Sequence, residues 1–253
     1  MTQPTRLTHQ QHGFTLVEIA IVLFIVALLM GGLLPTLSGQ IEQRRNSDTS
    51  KQLEDIKDAL IGFAIIKGRL PCPATSSSNG AESPAGGGVC TVFYNGYVPA
   101  ATLGLSGTTD SSRFLIDSWG QRIRYAVTSS NTNAFTITST PTAGMQGAGI
   151  SNLAPDLLVC LTANPSLISA SSCGSGNYLT ATPGVPAVIF STGKNGAQGS
   201  AGSDEAANLD ANKTFVSHIP AQSGATYGYF DDIVTWIPET VLINKMVAAG
   251  KLP

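Results

Sequence analysis

Charged residues are scarce in this 253-residue chain, and they form no basic run. Only 12% of the residues are charged, against about 25% in typical soluble domains. The formal net charge is -2 at pH 7. Proteins that bind nucleic acid usually present a basic face or stripe, so the composition gives no indication of a nucleic-acid partner. The sequence also contains no internal repeat.

Histidine is equally scarce, and the common enzyme motifs are missing. Of three histidines, two precede residue 13 and the third is His218. The sequence has no Gly-x-Ser-x-Gly nucleophile elbow. Gly193 and Lys194 do not form a phosphate loop, because Asn195 stands where Ser or Thr is needed. Few histidines are available for acid–base or nucleophilic catalysis. We therefore expect a protein that is not an enzyme.

One long apolar run lies near the start of the chain. Residues 14–34 contain a single charged side chain, Glu18. A helix of this length spans about 30 Å, the thickness of the hydrocarbon core of a bilayer. The run is too long for the core of a secretory signal peptide, and no Ala-x-Ala cleavage pattern follows it directly. The sequence therefore predicts a transmembrane helix; an uncleaved signal anchor is the alternative, and it explains only the length.

The hexapeptide at the head of this run, Gly13 to Glu18, reads Gly-Phe-Thr-Leu-Val-Glu. It resembles at every position the processing site of type IV prepilins and type II secretion pseudopilins. The resemblance implies that prepilin peptidase removes residues 1–13 as a leader and that the new amino-terminal residue, Phe14, is methylated. It also implies that Glu18 is the glutamate that directs filament assembly.

The same resemblance implies the partners and the location of the protein. Its partners would be prepilin peptidase, other pilin or pseudopilin subunits, an inner-membrane assembly platform and membrane lipid. The chain would cross the inner membrane once, with its domain in the periplasm, before it enters a pilus or pseudopilus. Arg44, Arg45 and Lys51 follow the apolar run, and positive charge favours the cytoplasmic side. Long domains are translocated largely regardless of charge, so we still expect the domain outside.

The helix is expected to continue past the membrane and to cover residues 14–67. Its second part, residues 36–67, is amphipathic, with apolar side chains at steps of three and four: Leu53, Ile56, Leu60, Phe63 and Ala64. Gly68 supplies a C-terminal stop. Pro35 predicts a kink or a local opening. The pilins that the chain resembles have a proline at this place and melt nearby in the filament; an ordinary proline kink at the membrane boundary is the alternative.

Residues 68–253 are expected to form one globular domain that is rich in short strands. Seven runs of β-branched or aromatic residues, bounded by turn residues, predict these strands: residues 89–98, 114–116, 122–128, 134–138, 156–161, 187–191 and 227–237. Pro238 can open a short C-terminal helix that ends near Gly250. A long helix packed on an antiparallel sheet is an α+β arrangement, which is also the pilin fold that the resemblance implies.

Four cysteines are present, and an even number in an exported chain suggests two disulfides with three possible connectivities. The favoured pairing is Cys72 with Cys90 and Cys160 with Cys173, because each bond closes a Gly/Ser-rich loop that contains few strands. A zinc site is the rival interpretation. The four cysteines show no Cys-x-x-Cys spacing, and after removal of the leader His218 is the one remaining histidine, so the sequence disfavours zinc. Free buried thiols are the third alternative.

A second resemblance covers two segments of the domain. Asp117 to Tyr125 contains Asp-x-Trp-Gly…Tyr, and Ile189 to Gly196 reads Ile-Phe-Ser-Thr-Gly-Lys-Asn-Gly. Both look like segments of the major type II pseudopilin, in which a nearby turn and later aspartates wrap a calcium ion. The resemblance implies a calcium site with four candidate ligands: Ser191, Asn195, Asp204 and Asp232.

The chain departs from the calcium pattern at two positions. Asn195 replaces an aspartate, which keeps an oxygen but removes a charge, and Ala206 stands at another expected acidic position. Three further acidic residues could compensate: Glu205, Asp210 and Asp231. Calcium needs six to eight oxygen ligands. A solvated glycine-rich loop that holds no ion is the alternative.

These patterns favour a structural protein, a subunit of a type IV pilus-like or type II secretion pseudopilus filament that assembles through its N-terminal helix. The second hypothesis is a membrane-anchored extracytoplasmic binding protein that does not polymerise. Glu18 separates the two, because a simple anchor could tolerate glutamine at that position. An anchored enzyme is disfavoured by the missing motifs.

Overall fold

The computed structural model describes residues 13–164, 168–196, 203–222, 224–226 and 228–252, without the side chains of residues 30–38 and 203. Of the predicted leader, residues 1–13, only Gly13 lies within the described residues. The chain divides into two compact units, Met1–Arg44 and Arg45–Pro253. The contacts that form the core and the candidate ion site lie within the second unit.

A long helix, α1, covers Leu16–Lys67, so the helix predicted over residues 14–67 begins at the third residue of that range. Every described side chain from residue 13 to residue 29 is exposed. Within the part of the chain that the structure describes, no helix is long and apolar enough to cross a membrane. The predicted span over residues 14–34 and the predicted kink at Pro35 both involve residues 30–38, whose side chains lie outside the described part.

The C-terminal part of α1 buries one apolar face in the second unit. Leu53, Ile56, Leu60 and Ala64 are at most 1% exposed, and their spacing is that of one helical face. The helix ends at Gly68, which has a φ of +71° and donates its N–H to Ala64 O at 2.8 Å. Glycine adopts this left-handed conformation without the steric penalty of a Cβ.

Strands of the second unit form one four-stranded sheet and one separate pair. The antiparallel sheet has the order β1–β2–β4–β6, made of β1 (Gly96–Tyr97), β2 (Arg124–Val127), β4 (Ala187–Ser191) and β6 (Ile233–Ile237). The parallel pair joins β3 (Leu158–Cys160) to β5 (Thr214–Val216). The α+β class, with an N-terminal helix and an antiparallel sheet, is confirmed, but the sequence pattern did not predict β5.

Short helices connect these strands. They are α2 (Ala100–Leu103), α3 (Ser130–Asn133), α4 (Gly144–Ala148), α5 (Ser203–Leu209) and α6 (Glu239–Ala248), with a 3-10 turn at Ile150–Asn152. Pro238 directly precedes α6, as its fixed φ favours. The C-terminal helix is therefore found close to its predicted position.

The two faces of the sheet contact different parts of the core, because successive side chains of a strand point to opposite faces. Tyr125, Val127 and Ile189 pack with the buried face of α1 and with α6. Ala126, Val188 and Phe190 lie on the other face and pack with Val159 of β3 and Phe215 of β5. All five residues of β4 are buried, which makes β4 the central strand between these two layers.

Two of the predicted strands are wrong. Residues 114–116 make only isolated bridges to Thr109 and Arg122, because the chain turns back at Asp117. Residues 134–138 follow a turn in which residues 131–133 have positive φ, and Thr136 N–H donates to Asn133 O at 3.0 Å. In both segments local turn hydrogen bonds replace the ladder that their apolar composition predicted.

Both disulfides link the cysteine pairs that the sequence favours. Cys72 is bonded to Cys90 and Cys160 to Cys173, and no cysteine is free. The sequence separations are 18 and 13 residues. Each bond therefore closes a short loop within the second unit.

Candidate functional site

The three described residues that precede α1, 13–15, are irregular and exposed. Gly13, Phe14 and Thr15 are not helical, and Phe14 is 83% exposed. The peptide bond between Gly13 and Phe14 therefore lies outside the helix that begins at Leu16. Exposed, irregular chain is the preferred substrate of proteases, so the predicted cleavage point is accessible within this unit.

Gly13 has no packing role among the described residues. A Cβ built on Gly13 would find no heavy atom of the described chain within 4 Å. By contrast, a Cβ on Gly193 would approach Asp231 Oδ1 to 2.3 Å. Glycine at position 13 is therefore not explained by the fold of the described chain.

Glu18 and Thr15 form a reciprocal cap at the start of α1. Glu18 Oε2 accepts from the Thr15 N–H and from Thr15 Oγ1, each at 2.9 Å, and Glu18 N–H donates to Thr15 Oγ1 at 3.3 Å. This is a capping box, in which two N-terminal donors of a helix are satisfied. The sequence reasoning missed Thr15, although the spacing Thr-x-x-Glu is the signal that finds it. Glu18 thus has a partner in its own chain.

The second candidate site lies where β4 ends and β6 begins. Ser191 pairs with Ile233 in the antiparallel register, so the loop after Ser191 runs beside the residues just before Ile233. Gly193 adopts a φ of +59° in this loop. The positive φ and the close approach to Asp231 together require glycine at position 193.

Three carboxylates converge at this edge of the sheet. Side-chain oxygens of Glu205, Asp231 and Asp232 lie within 4.8 Å of one another. Glu205 comes from α5, and the two aspartates precede β6. Asp231 Oδ1 is buried and has no hydrogen-bond partner among the described residues. A buried carboxylate oxygen without a donor is unfavourable, and a cation bound there would satisfy it.

Electrostatics at this cluster also favour a cation. Burial raises the pKa of Asp232 well above its ordinary value, and the negative charges of Glu205 and Asp231 raise it further. A hydrogen bond from Asn208 Nδ2 to Asp232 Oδ2, at 2.7 Å, and the positive charge of Arg124 oppose this shift of the pKa. Like charges that share a partly buried site repel one another, and a bound divalent cation would offset that repulsion.

Only part of the predicted ligand set comes together. Asp232 belongs to the cluster, and Asn195 Nδ2 donates to Glu205 Oε2 at 2.8 Å. Ser191 Oγ instead donates to Asp117 Oδ2, and Asp204 accepts from His218 Nε2 at 2.9 Å. Among the described carboxylates, Asp204 is not a member of the cluster, and a calcium-binding role of Ser191 or Asp204 stays a prediction.

The α5 carboxylate that lies in the cluster is Glu205, the neighbour of Asp204 in the sequence. From the sequence, Glu205 and Asp231 are expected only to compensate for the missing acidic ligands. Adjacent residues of an α-helix point about 100° apart. Asp204 therefore faces His218 and the Ala163 N–H, while Glu205 faces the loop. A pattern of acidic residues cannot decide which of two neighbours points inward until the helix is placed.

Asp117 joins the two segments that resemble the major pseudopilin. Its Oδ1 accepts from the N–H groups of Trp119 and Gln121, each at 2.8 Å, which closes the Asp-x-Trp-Gly turn. Its Oδ2 accepts from Ser191 at the end of β4. Tyr125 lies opposite Ile189 in the β2–β4 register. The Asp-x-Trp-Gly segment therefore supports the edge of the sheet that carries the carboxylates.

Comparison with known proteins finds one match, at the N-terminus. The family model of the prokaryotic N-terminal methylation motif matches residues 8–34. No curated protein and no solved structure matches the chain significantly. The matched residues include Gly13, Phe14 and Glu18. The chain thus carries the prokaryotic N-terminal methylation motif, consistent with the type IV pilin and pseudopilin family.

Proposed function

We propose that this protein is a structural subunit of a type IV pilus-like or type II secretion pseudopilus filament. The observation that carries the proposal is the methylation motif over residues 8–34, placed at the head of a helix, Leu16–Lys67, that continues into an α+β unit. A helix that begins with a processing motif and ends in a folded unit is expected of a filament subunit whose N-terminal helix packs against the helices of its neighbours. The motif also favours a structural protein over an enzyme.

In this proposal prepilin peptidase cuts between Gly13 and Phe14, and the amine of Phe14 becomes methylated. Residues 14–34 cross the inner membrane, and the Arg45–Pro253 unit lies in the periplasm. The exposed, irregular segment of residues 13–15 supports cleavage at this point. The length of the apolar run supports the transmembrane assignment.

Glu18 is the residue on which assembly depends. A carboxylate in hydrocarbon needs an opposite charge or several donors. Thr15 supplies two neutral donors within the same chain, but no positive charge. In a filament the amine of Phe14 from a neighbouring subunit would supply that charge. The pairing would fix the axial position of one subunit against the next.

The Glu18→Gln variant tests this role, because glutamine can also complete a capping box. The helix start is then kept and only the charge is removed. We expect the variant to insert and to be cleaved at Gly13, but not to enter filaments. Glu54→Gln is the matched control: Glu54 is an exposed glutamate of the same helix, paired with Lys57. Immunoblots of sheared filaments and of membranes, with the wild type alongside, measure both variants.

Two outcomes would argue against the filament role of Glu18. Equal amounts of Glu18→Gln and wild type in the sheared fraction would show that the charge does not direct assembly. Wild-type protein confined to the membrane fraction, in cells that assemble filaments, would favour the anchored binding protein instead.

We further propose that Glu205, Asp231 and Asp232 bind calcium. The unpartnered Oδ1 of Asp231 and the convergence of three carboxylates support an oxygen-rich cation site, which is the kind that calcium prefers. Bound calcium would neutralise the carboxylates and tie the loop after β4 to α5 and β6. Its effect would be on stability, since a ligand of the folded state alone adds about 2.7 kcal/mol at a concentration 100 times its Kd.

Thermal unfolding of the full-length chain in detergent, with calcium or with chelator, tests the calcium site. We expect a higher Tm with calcium, and we expect Asp231→Asn to lose most of this increase. Asp210→Asn is the control, because Asp210 is an exposed aspartate outside the cluster. Identical wild-type Tm values in calcium and in chelator would refute the site, as would an unchanged response of Asp231→Asn.

A further inference from the structure

A polar cleft of about 330 Å³ lies beside the paired strands β1 and β2. Its lining includes the side chains of Tyr97, Gln121, Arg122, Arg124 and Thr192. Two guanidinium groups therefore face one small volume. The roles described for the N-terminal motif and for the carboxylate cluster do not use this cleft.

The first of these arginines is neutralised. Arg122 Nε donates to Asp110 Oδ2 at 2.6 Å, and Arg122 Nη2 lies 2.6 Å from the same oxygen. The guanidinium also lies over the ring of Phe114, 4.3 Å from its centroid. Arg122 and Asp110 together contribute no net charge to the cleft.

The second arginine has no carboxylate partner. Arg124 Nη1 donates to the neutral Asn95 Oδ1 at 2.5 Å, and the guanidinium lies 4.8 Å from the ring centroid of Tyr97. Among the described residues, no Asp or Glu lies within ion-pair distance of Arg124. Burial lowers the pKa of Arg124, and the charge of Arg122 lowers it further, whereas Tyr97 and Asp232 act in the opposite direction and raise it. The cleft thus carries one half-buried positive charge that forms no ion pair with a described carboxylate and that the more distant Asp232 offsets only in part.

The position of Arg124 is also fixed. It stands on β2 opposite Tyr97 of β1 and opposite Phe190 of β4. The hydrogen bond to Asn95 and the ring of Tyr97 hold the guanidinium plane in place. A planar guanidinium that is already oriented loses less conformational freedom when it binds a carboxylate or phosphate group.

We propose that this cleft binds an oxyanion, the carboxylate or phosphate group of a small ligand, with Arg124 as its charge partner. Gln121 and Thr192 line the same cleft and provide neutral donors beside the charge. An oxyanion here would compensate the buried charge of Arg124, because half-buried charges are favourable only when they are paired. The Asp110 carboxylate is already engaged by Arg122 and leaves Arg124 available.

Calorimetric titration of the full-length chain in detergent, without added calcium, tests this proposal. The probes are glucuronate, inorganic phosphate and glucose. Glucuronate and glucose share the sugar ring and differ by the carboxylate, so glucose measures binding that does not depend on charge. We expect saturable binding of at least one oxyanion and none of glucose. Binding of glucuronate alone assigns the site to carboxylates, and binding of phosphate alone assigns it to phosphates.

A matched pair of variants identifies the residue. Arg124→Gln should weaken oxyanion binding by at least about tenfold, as expected for a lost charged hydrogen bond. Arg113→Gln removes the same charge from an exposed arginine that does not line the cleft and should bind like the wild type. Equal affinity of Arg124→Gln and wild type would overturn the proposal. The proposal would also be overturned if the wild-type protein bound neither glucuronate nor phosphate more tightly than glucose. That result needs no variant.

Discussion

At the scale of single residues, the most completely satisfied polar contact is a buried ion pair. Arg69 and Glu82 are 4% and 8% exposed. Their side chains make two parallel hydrogen bonds, each 2.8 Å long. Glu82 also accepts from the N–H groups of Cys72 and Gly86. Buried pairs are favourable only when every charge and lone pair has a partner, and Glu82 meets that condition.

The Glu82→Gln variant should destabilise the protein by about 3 kcal/mol at neutral pH, because it leaves the charge of Arg69 buried and unpaired. Burial alone would raise the pKa of Glu82, but hydrogen bonds and the charge of Arg69 outweigh burial and lower it. The stabilisation is therefore complete above the ordinary pKa of glutamate and is lost as the pH falls through the lower folded value. Chemical unfolding at several pH values measures it.

The pH dependence provides the internal control for this variant. The difference in unfolding free energy between wild type and Glu82→Gln should shrink on acidification. Glu54→Gln, at an exposed pair with Lys57, should change stability by less than about 1 kcal/mol. A Glu82→Gln protein as stable as the wild type at neutral pH would contradict the assigned role of the pair.

Residues of the N-terminal motif could be recognised from the sequence because their spacing is local. Gly13, Phe14 and Glu18 lie within six positions of one another, and one apolar helix sets their context. Arg69 and Glu82 are separated by 13 residues and by a loop whose path no periodicity predicts. Arg124 and Thr192 are further apart still. Their meeting depends on the pairing of β2 with β4, which the sequence pattern did not specify.

At the scale of elements, the accuracy of prediction followed the length and regularity of each pattern. The 52-residue helix α1 was found because its apolar face repeats over many turns. The central strand β4 was predicted with its observed bounds, Ala187–Ser191, because all five of its side chains are buried. Short runs at residues 114–116 and 134–138 were mistaken for strands, since a buried turn residue such as Phe135 is as apolar as a strand residue.

The two disulfide loops provide a prediction at this scale. Replacing Cys72 and Cys90 together by serine should lower the unfolding free energy by about 3 kcal/mol, the value of the chain-entropy model for a loop of about 15 residues. The pair Cys160 and Cys173 closes a loop of similar length, so its double variant should lose a comparable amount. Chemical unfolding under non-reducing conditions compares the three proteins.

Peptide mapping without reduction provides the check on this comparison. It should recover Cys72 linked to Cys90 and Cys160 linked to Cys173 from protein of the cell envelope. Quantitative alkylation of all four thiols in that unreduced protein would show that the bonds do not form in the cell.

At the scale of the whole molecule, the chain combines an N-terminal unit whose described apolar side chains are exposed with a C-terminal unit that has its own core. Phe14, Leu16 and Phe24 are each at least 65% exposed, whereas α1 from Leu53 onward buries one apolar face in the core of the second unit. Exposed apolar area of this kind usually marks a surface that contacts lipid or another protein. The molecule is thus expected to function among neighbours.

Intact-mass analysis tests how the whole molecule matures. Protein extracted from membranes of a strain with active prepilin peptidase should have the mass of residues 14–253 plus one methyl group. The reason is that the Gly13–Phe14 bond lies in irregular, exposed chain before α1. Extract from a strain without the peptidase is the control and should contain the full chain. Retention of residues 1–13 in both strains would contradict the prediction.

The empty space around Gly13 has a consequence for how this protein can be dissected. Since a Cβ there touches nothing in the part of the chain that the structure describes, Gly13→Ala should leave the folding of the chain unaltered. Any defect that it causes would then belong to recognition by another molecule. The substitution would accumulate a folded, uncut precursor, so that biogenesis could be halted at a single step and restored by supplying a normal copy. At most positions of a protein, a substitution affects folding and function together. At Gly13 the effect on function can be measured separately from folding.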